Sequence, residues 1–144
     1  MIEEQLKQIC SNPIVTCGEG ATEIDISNSE ESLGLIFPEQ FRSYLSTIGW
    51  LEIEANELYG LGSNIPEHLN IISNTEWERN EAEEPLPKHL IPFLNDGMGN
   101  HYCIDINNKH SKVVFWDYEL QEQEDIKEKD FLAFIQSLVK ECSE

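Results

Sequence analysis

The spacing of apolar residues predicts two helices at the start of the chain. The first helix carries apolar residues about one helical turn apart, at Ile2, Leu6 and Ile9. Pro13 ends this helix, because proline cannot continue the helical hydrogen bonding. The second helix runs from Thr22 towards Leu33, since Thr22 resembles a helix cap and Gly34 can end a helix.

A third helix is predicted between Pro38 and Gly49. Proline suits the first helical position, where its missing N–H has no partner to lose. The apolar stripe of this helix is formed by Phe41, Tyr44, Leu45 and Ile48. Gly49 then provides the C-terminal stop.

The period of the pattern changes after Gly49. Residues 50–54 alternate between apolar and acidic, which predicts a half-buried strand, and residues 58–62 form a second short apolar piece. Pro66 opens a predicted helix from Glu67 to about Glu81. The acidic segment from Glu81 to Pro87 contains two prolines and is expected to be a surface loop.

The C-terminal half is predicted to form an antiparallel meander and a closing helix. Strands are expected at residues 90–94, 101–106 and 113–118, with turn-rich segments between them. Pro92 favours an edge or a first strand position, because proline donates no ladder hydrogen bond. Asp130 can cap the last helix. The apolar face of that helix is Phe131, Phe134, Ile135, Leu138, Val139 and Cys142.

This order of elements indicates an α+β protein. Helices come first, strands follow and a helix closes the chain, whereas a β-α-β array would alternate them. We expect one domain over residues 1–144, with a central, mostly antiparallel sheet of about four to six strands flanked by helices.

The net charge narrows the choice of partner. The chain has 28 acidic and 9 basic residues, a net charge of −19 and a pI near 4.3. Nucleic acids and anionic membranes would repel such a chain, so neither is an expected partner. Hydrophobic residues make up 40% of the chain, which is enough for a folded core rather than disorder. The acidic surface either serves solubility or meets a basic partner.

The cysteines and the N-terminal residues indicate in which cellular compartment the protein is expected. Four cysteines could form two disulfides, but a domain of this size does not need them, and we expect free thiols in a reducing cytoplasm. The first residues lack the pattern of a signal peptide, and no apolar run is long enough to span a membrane. A cytoplasmic protein, monomeric or weakly dimeric, is the expectation.

The residues provide little support for catalysis. His101, Cys103 and Asp105 would share one strand face and could bind a metal, although an ordinary outward strand face explains them as well. No Gly-x-Ser-x-Gly motif is present, and the glycine-rich segment 95–100 lacks the lysine of a phosphate loop. We therefore predict no catalytic residues, no metal and no cofactor.

Two acidic groups lie beside aromatic residues and are the candidate binding surface. Aromatic anchors among charges of one sign are typical of protein-binding surfaces. The candidate partner-binding residues are Glu52, Glu54, Tyr59, Asp117, Tyr118 and Glu119. The alternative is that Trp50, Trp116 and Tyr118 are simply core residues on the inner strand face.

Several segments resemble the SUKH superfamily, the Smi/Knr-like proteins. Leu33-Gly34 precedes the segment 37–45, Phe-Pro-Glu-Gln-Phe-Arg-Ser-Tyr-Leu, and Gly49 follows it. Further matching segments are Ile91-Pro92-Phe93, Tyr102-x-x-Asp105, residues 113–117 and Phe131-x-x-Phe134-Ile135. The resemblance covers about residues 21–140. The sequence departs from the family pattern in having Ile48-Gly49 instead of Asn-Gly, and Phe37 instead of leucine before the proline.

This resemblance implies an α+β fold and a role in protein binding. Bacterial members are regarded as immunity proteins that neutralise secreted toxins, often nucleases, and the family has no established catalytic set. The implied function is therefore an intracellular immunity protein that binds a cognate basic toxin domain. The alternative implied by fungal members is a regulatory or scaffolding protein connected with cell-wall glucan synthesis.

Overall fold

The computed structural model describes residues 1–144. The helices are α1 (Ile2–Cys10), α2 (Glu23–Leu33), α3 (Glu39–Thr47), α4 (Ile71–Asn80) and α5 (Phe131–Ser143). The strands are β1 (Val15–Cys17), β2 (Leu51–Ile53), β3 (Asn56–Leu58), β4 (Leu90–Asn95), β5 (His101–Asp105), β6 (Val113–Asp117) and β7 (Glu122–Asp125). A short 3₁₀ helix, Glu67–Leu69, precedes α4.

The predicted helix ends are confirmed where local capping determines them. The Thr22 hydroxyl accepts a hydrogen bond from the Asp25 amide at 3.1 Å and so starts α2. Gly34 ends that helix in the left-handed conformation, with φ of 71°. The Asp130 carboxylate accepts a hydrogen bond from the Ala133 amide at 2.9 Å and starts α5. Pro38 is the N-cap of α3, one residue before the predicted position.

All seven strands form one antiparallel sheet in chain order, β1 to β7. The α+β fold and the meander β4–β5–β6 are confirmed. The strand count exceeds the expected four to six because β1 and β7 give little sequence signal. β1 has only three residues, and β7 is Glu-Gln-Glu-Asp, with no apolar residue.

The main core lies between the sheet and the helices α3 and α5. Phe131 of α5 is fully buried, and its ring centroid lies 5.1 Å from those of Phe41, Tyr44 and Phe93. These edge-to-face contacts join α3, α5 and β4. The sheet face that carries these contacts is called the helix face below.

The opposite sheet face has a smaller core, which corrects the sequence-based expectation for β5. His101 and Cys103 are buried, with 2% and 0% exposure, rather than on an outward face. Cys103 packs with Leu90, Val114 and Trp116 and with Leu86, which comes from the acidic loop after α4. Local alternation showed that these residues share a face, but it could not show that α4 and the following loop cover that face.

Three other expectations require correction. Pro92 lies in β4, the central strand rather than an edge, at a register shift between Pro92 and Leu94 that accommodates it. The short apolar piece at 58–62 contributes only Leu58 to a strand, since β3 is Asn56–Leu58. The helix expected at 67–81 is interrupted at Asn70, because its side chain accepts hydrogen bonds from the amides of residues 72 and 73 and starts α4.

The cysteines are not all free thiols, contrary to the expectation. Cys10 and Cys17 form a disulfide between the end of α1 and β1, whereas Cys103 and Cys142 are free. The chain reverses at residues 11–14 and pairs β1 with β2, which brings the two cysteines together. No helix of the structure is both long and apolar enough to cross a membrane.

Candidate functional site

Three hairpin turns lie together at one end of the sheet. In a sheet of antiparallel neighbours in chain order, alternate connections fall at the same end. The connections β2–β3, β4–β5 and β6–β7 therefore share one end, opposite the β5–β6 turn. We call this region the turn end: residues 54–55, 96–100 and 118–121.

The β4–β5 turn holds an ionised carboxylate in a fixed position. Asp96 accepts hydrogen bonds from the amides of Met98, at 2.8 Å, and Asn100, at 3.1 Å. Its second oxygen accepts a hydrogen bond from the Asn100 side chain at 3.0 Å. Burial acts to raise the pKa of Asp96, but these hydrogen bonds outweigh it and lower the pKa overall. Asp96 therefore keeps its charge well into the acidic range.

The β6–β7 turn is tied to the β4–β5 turn. The Tyr118 amide donates a hydrogen bond to the Asn100 side-chain oxygen at 3.0 Å. The Asp117 carboxylate accepts hydrogen bonds from the amides of Glu119 and Leu120, both at 3.0 Å. Gly99 has φ of 92°, and a methyl group there would lie 3.6 Å from the Tyr118 ring. The ring thus lies over a glycine backbone, and the two turns form one preorganised surface.

Exposed apolar side chains are interspersed with the carboxylates at the turn end. Met98 is 78% exposed, Leu120 is 61% exposed and Tyr118 is 43% exposed. Asp96, Asp117 and Glu119 flank them along the chain. Met98 and Leu120 were not among the residues predicted to bind a partner. The sequence signal that marks them is an isolated apolar residue among turn-forming residues, at Met98, or among acidic residues, at Leu120.

The structure brings four of the six predicted binding residues to the turn end. Asp117, Tyr118 and Glu119 lie at the β6–β7 turn, and Glu54 is exposed in the β2–β3 turn with φ of 55°. Glu52 lies elsewhere: it is half-buried on β2 and is paired in register with Glu57. That pair is on the face opposite the helix face, since the alternate residues Leu51 and Leu58 belong to the main core.

Tyr59 is buried, with 8% exposure, beside a second group of titratable residues. Burial, followed by the nearby Glu78 carboxylate, raises the pKa of Tyr59 to about 12. The Glu78 carboxylate lies 3.9 Å from Nε2 of His101, which is buried and has no hydrogen-bond partner. Burial lowers the pKa of His101 and raises that of Glu78, so burial disfavours the charged form of both.

The structure separates the three aromatic residues that could have belonged either to the core or to a binding surface. Trp50 and Trp116 are both 7% exposed and belong to the core, whereas Tyr118 projects from the turn end.

No group of three or more His, Cys, Asp or Glu residues is placed to hold a metal ion. The geometry at the turn end therefore provides charge and apolar contact area for binding.

Comparison with a solved structure shows the same fold. The chain superposes with a TM-score of 0.68 on a crystal structure of a protein from Pseudomonas syringae pv. tomato. The two chains are 21% identical, and the match covers 94% of this chain and 96% of the other. At this level of identity, the likeness concerns the fold alone.

Comparison of sequences identifies the family. A 51-residue segment is 37% identical to the SPbeta prophage-derived uncharacterized protein YokK of Bacillus subtilis strain 168. That match spans 35% of this chain but only 23% of the length of the curated relative. The family model described as SUKH_5, SMI1-KNR4 cell-wall, matches residues 1–140. The chain therefore belongs to the SUKH superfamily of Smi/Knr-like proteins.

Proposed function

We propose that this protein is an intracellular immunity protein that binds a basic toxin domain and blocks it. The observation that carries the proposal is the turn end, where exposed apolar side chains alternate with fixed carboxylates on a chain of net charge −19. Membership of the SUKH superfamily supports a role of this kind. The protein makes and breaks no covalent bond in this function.

The partner would be attracted by charge and held by apolar contacts. Nuclease toxins bind phosphates and therefore tend to present a basic surface, which an acidic inhibitor complements. Complementary charge accelerates encounter, while the desolvated centre of an interface provides most of the affinity. Tyr118 and Leu120 are the proposed anchors, and Glu54, Asp117 and Glu119 provide the attraction.

Glu52 and Tyr59, the remaining two predicted binding residues, have a different place in this proposal. Glu52 adds to the negative potential from the β2 face, but it is not part of the contact surface. Tyr59 is buried and supports the sheet beside β4, since its amide donates a hydrogen bond to the Phe93 carbonyl at 2.8 Å.

The test combines toxin protection with direct binding. The gene would be co-expressed with the toxin domain encoded beside it, and the purified proteins would be titrated against each other. We expect restored growth and a stoichiometric complex that the double variant Tyr118→Ala/Leu120→Ala weakens. A toxin that is neutralised equally well by that variant would exclude the turn end as the contact surface.

A regulatory protein connected with the cell wall is the second candidate. The description of the matching family model, SMI1-KNR4 cell-wall, is the observation that favours it. Affinity purification from the native cell separates the two functions, because envelope-synthesis proteins would be recovered in one case and a toxin in the other. Deletion of the gene should then alter the cell wall in cells that carry no toxin.

A further inference from the structure

A groove with an apolar base lies between α5 and the sheet, beside the turn end. It has a volume of about 400 Å³. The buried side chains of Leu94 and Phe134 and the half-buried ring of Tyr102 line it. The Tyr102 ring is fixed by Phe115 and Phe134, whose ring centroids lie 5.2 and 4.8 Å away. The volume is at the small end of the range for ligand pockets, roughly 300–1,000 Å³.

Carboxylates surround this apolar base. Asp96, Glu128 and Glu141 come from the β4–β5 turn, the segment before α5 and the last turn of α5. Burial first, and then these three carboxylates, raise the pKa of the Tyr102 phenol, so the ring remains neutral. Lys127 is the one cation among the lining residues and has no ion-pair partner within 4 Å. Three carboxylates and one ammonium give the rim a net charge of −2.

An aromatic ring under a ring of carboxylates matches the chemistry of an arginine side chain. The guanidinium group is planar, stacks on aromatic faces and can donate hydrogen bonds to two carboxylates at once, while its methylene stem covers apolar surface. Lysine offers only a compact charge and matches the aromatic base less well. A metal ion would gain nothing from an apolar base.

We propose that this groove receives an arginine side chain of the protein partner. The inference rests on the proposed function, and it specifies where that partner inserts a basic anchor. Asp96 belongs to both the groove and the turn end, and Asn56 in the groove directly follows the β2–β3 turn, so one partner can contact both surfaces.

The test uses n-butylguanidinium as a probe for the arginine side chain. Its binding to the protein alone would be followed by NMR chemical shifts, with uncharged n-butylurea as the matched control probe. We expect butylguanidinium to shift the signals of Tyr102, Leu138 and Glu141, and butylurea to bind at least threefold more weakly. Equal binding of the two probes, shifts located elsewhere, or displacement of the probe by millimolar CaCl₂ would overturn the inference.

Removing a rim carboxylate and removing the rim cation should change the affinity for butylguanidinium in opposite directions. Glu141→Gln should weaken butylguanidinium binding about two- to fivefold, the range for one exposed ion pair. Lys127→Gln removes the rim cation and should strengthen binding by a similar factor. Glu84→Gln, in the acidic loop after α4, is the control and should have no effect. A Lys127→Gln variant that binds the probe no more tightly would contradict the assigned rim.

The same variants separate this inference from the proposed function. If the toxin domain binds but Glu141→Gln and Lys127→Gln leave its affinity unchanged, the groove is not the arginine site and the proposed function stands. If no toxin domain binds at all, the proposed function fails. Binding of butylguanidinium in the groove is measured on the protein alone, so that result does not depend on whether a toxin domain binds.

Discussion

The side chain of Tyr118 offers the sharpest test of the turn end, because truncating it removes contact area without disturbing the core. It is 43% exposed in the free protein. An aromatic side chain presents about 150–250 Å² in contacts, so roughly 90 Å² of Tyr118 is available to a partner. At about 25 cal/mol per Å², Tyr118→Ala should weaken binding by about 2 kcal/mol, or roughly 30-fold in Kd.

The assay is isothermal titration calorimetry of the purified protein against the toxin domain. Leu120→Ala and Ile36→Ala provide a matched pair, since both residues are exposed aliphatics, at 61% and 73%. Ile36 lines a surface hollow with Lys109 and His110 of the β5–β6 turn, at the opposite end of the sheet. Leu120→Ala should weaken binding several-fold, and Ile36→Ala should leave it unchanged.

The control for these variants is the stability of the free protein. Because Tyr118 and Leu120 are exposed and lie outside the core, their truncation should shift the urea midpoint little. A change in Kd of less than twofold for a folded Tyr118→Ala variant would show that the turn end does not contact the toxin domain. The same conclusion would follow if Ile36→Ala weakened binding as much as Leu120→Ala.

The remaining predictions concern charge, pH and the core. Glu54→Lys should slow association with a basic partner in stopped-flow measurements at low salt, with the difference vanishing at high salt, whereas Glu84→Lys in the acidic loop should have a smaller effect. Burial lowers the pKa of His101, so this imidazole binds a proton less readily in the folded protein than in the unfolded chain. The neutral, buried imidazole therefore costs no stability above about pH 6.5, whereas the free energy of unfolding decreases as the pH falls below that value. Urea unfolding should therefore show a smaller loss of stability between pH 7.5 and 5.5 in His101→Gln than in the parent protein, and equal slopes would contradict this. Phe131→Ala should lower the free energy of unfolding by about 3–5 kcal/mol, because the ring is fully buried among three other rings; a loss below 1 kcal/mol would show that this cluster is not the core.

Local signals predicted the parts of the fold that local interactions determine. The ends of α2 and α5 follow from Thr22, Gly34 and Asp130, whose caps act within three or four residues. The meander β4–β5–β6 follows from apolar runs at residues 90–94 and 113–118 and from alternation at 101–106, with turn-rich segments between them. Strand β7 left no such signal, because it is held by pairing with β6 rather than by burying one face, and β1 is too short, at three residues, for alternation to be recognised.

Interactions between distant segments explain the sequence-based errors. The burial of His101 and Cys103 depends on Leu86 and on α4, more than ten residues away in the chain. The Cys10–Cys17 disulfide depends on the reversal that pairs β1 with β2. Neither can be inferred from alternation or from cysteine spacing alone.

The residue types of the candidate site could be predicted from the sequence, but the position of each residue in the fold could not. The sequence favoured residues 117–119 as a candidate binding surface, and the structure places Tyr118 and Glu119 in an exposed turn directly after Asp117, the last residue of β6. It could not indicate that Glu54 lies at the same end of the sheet, because that depends on the order of seven strands. It also grouped Glu52 with Glu54, although one is on a strand and the other is in a turn with positive φ.

Hydrogen–deuterium exchange of the protein with and without the toxin domain tests the central proposal most directly. Binding through the turn end should slow amide exchange at residues 96–100 and 118–121 and leave the β5–β6 turn at residues 107–111 unchanged. Protection at 107–111 without protection at the turn end would contradict the proposed binding surface.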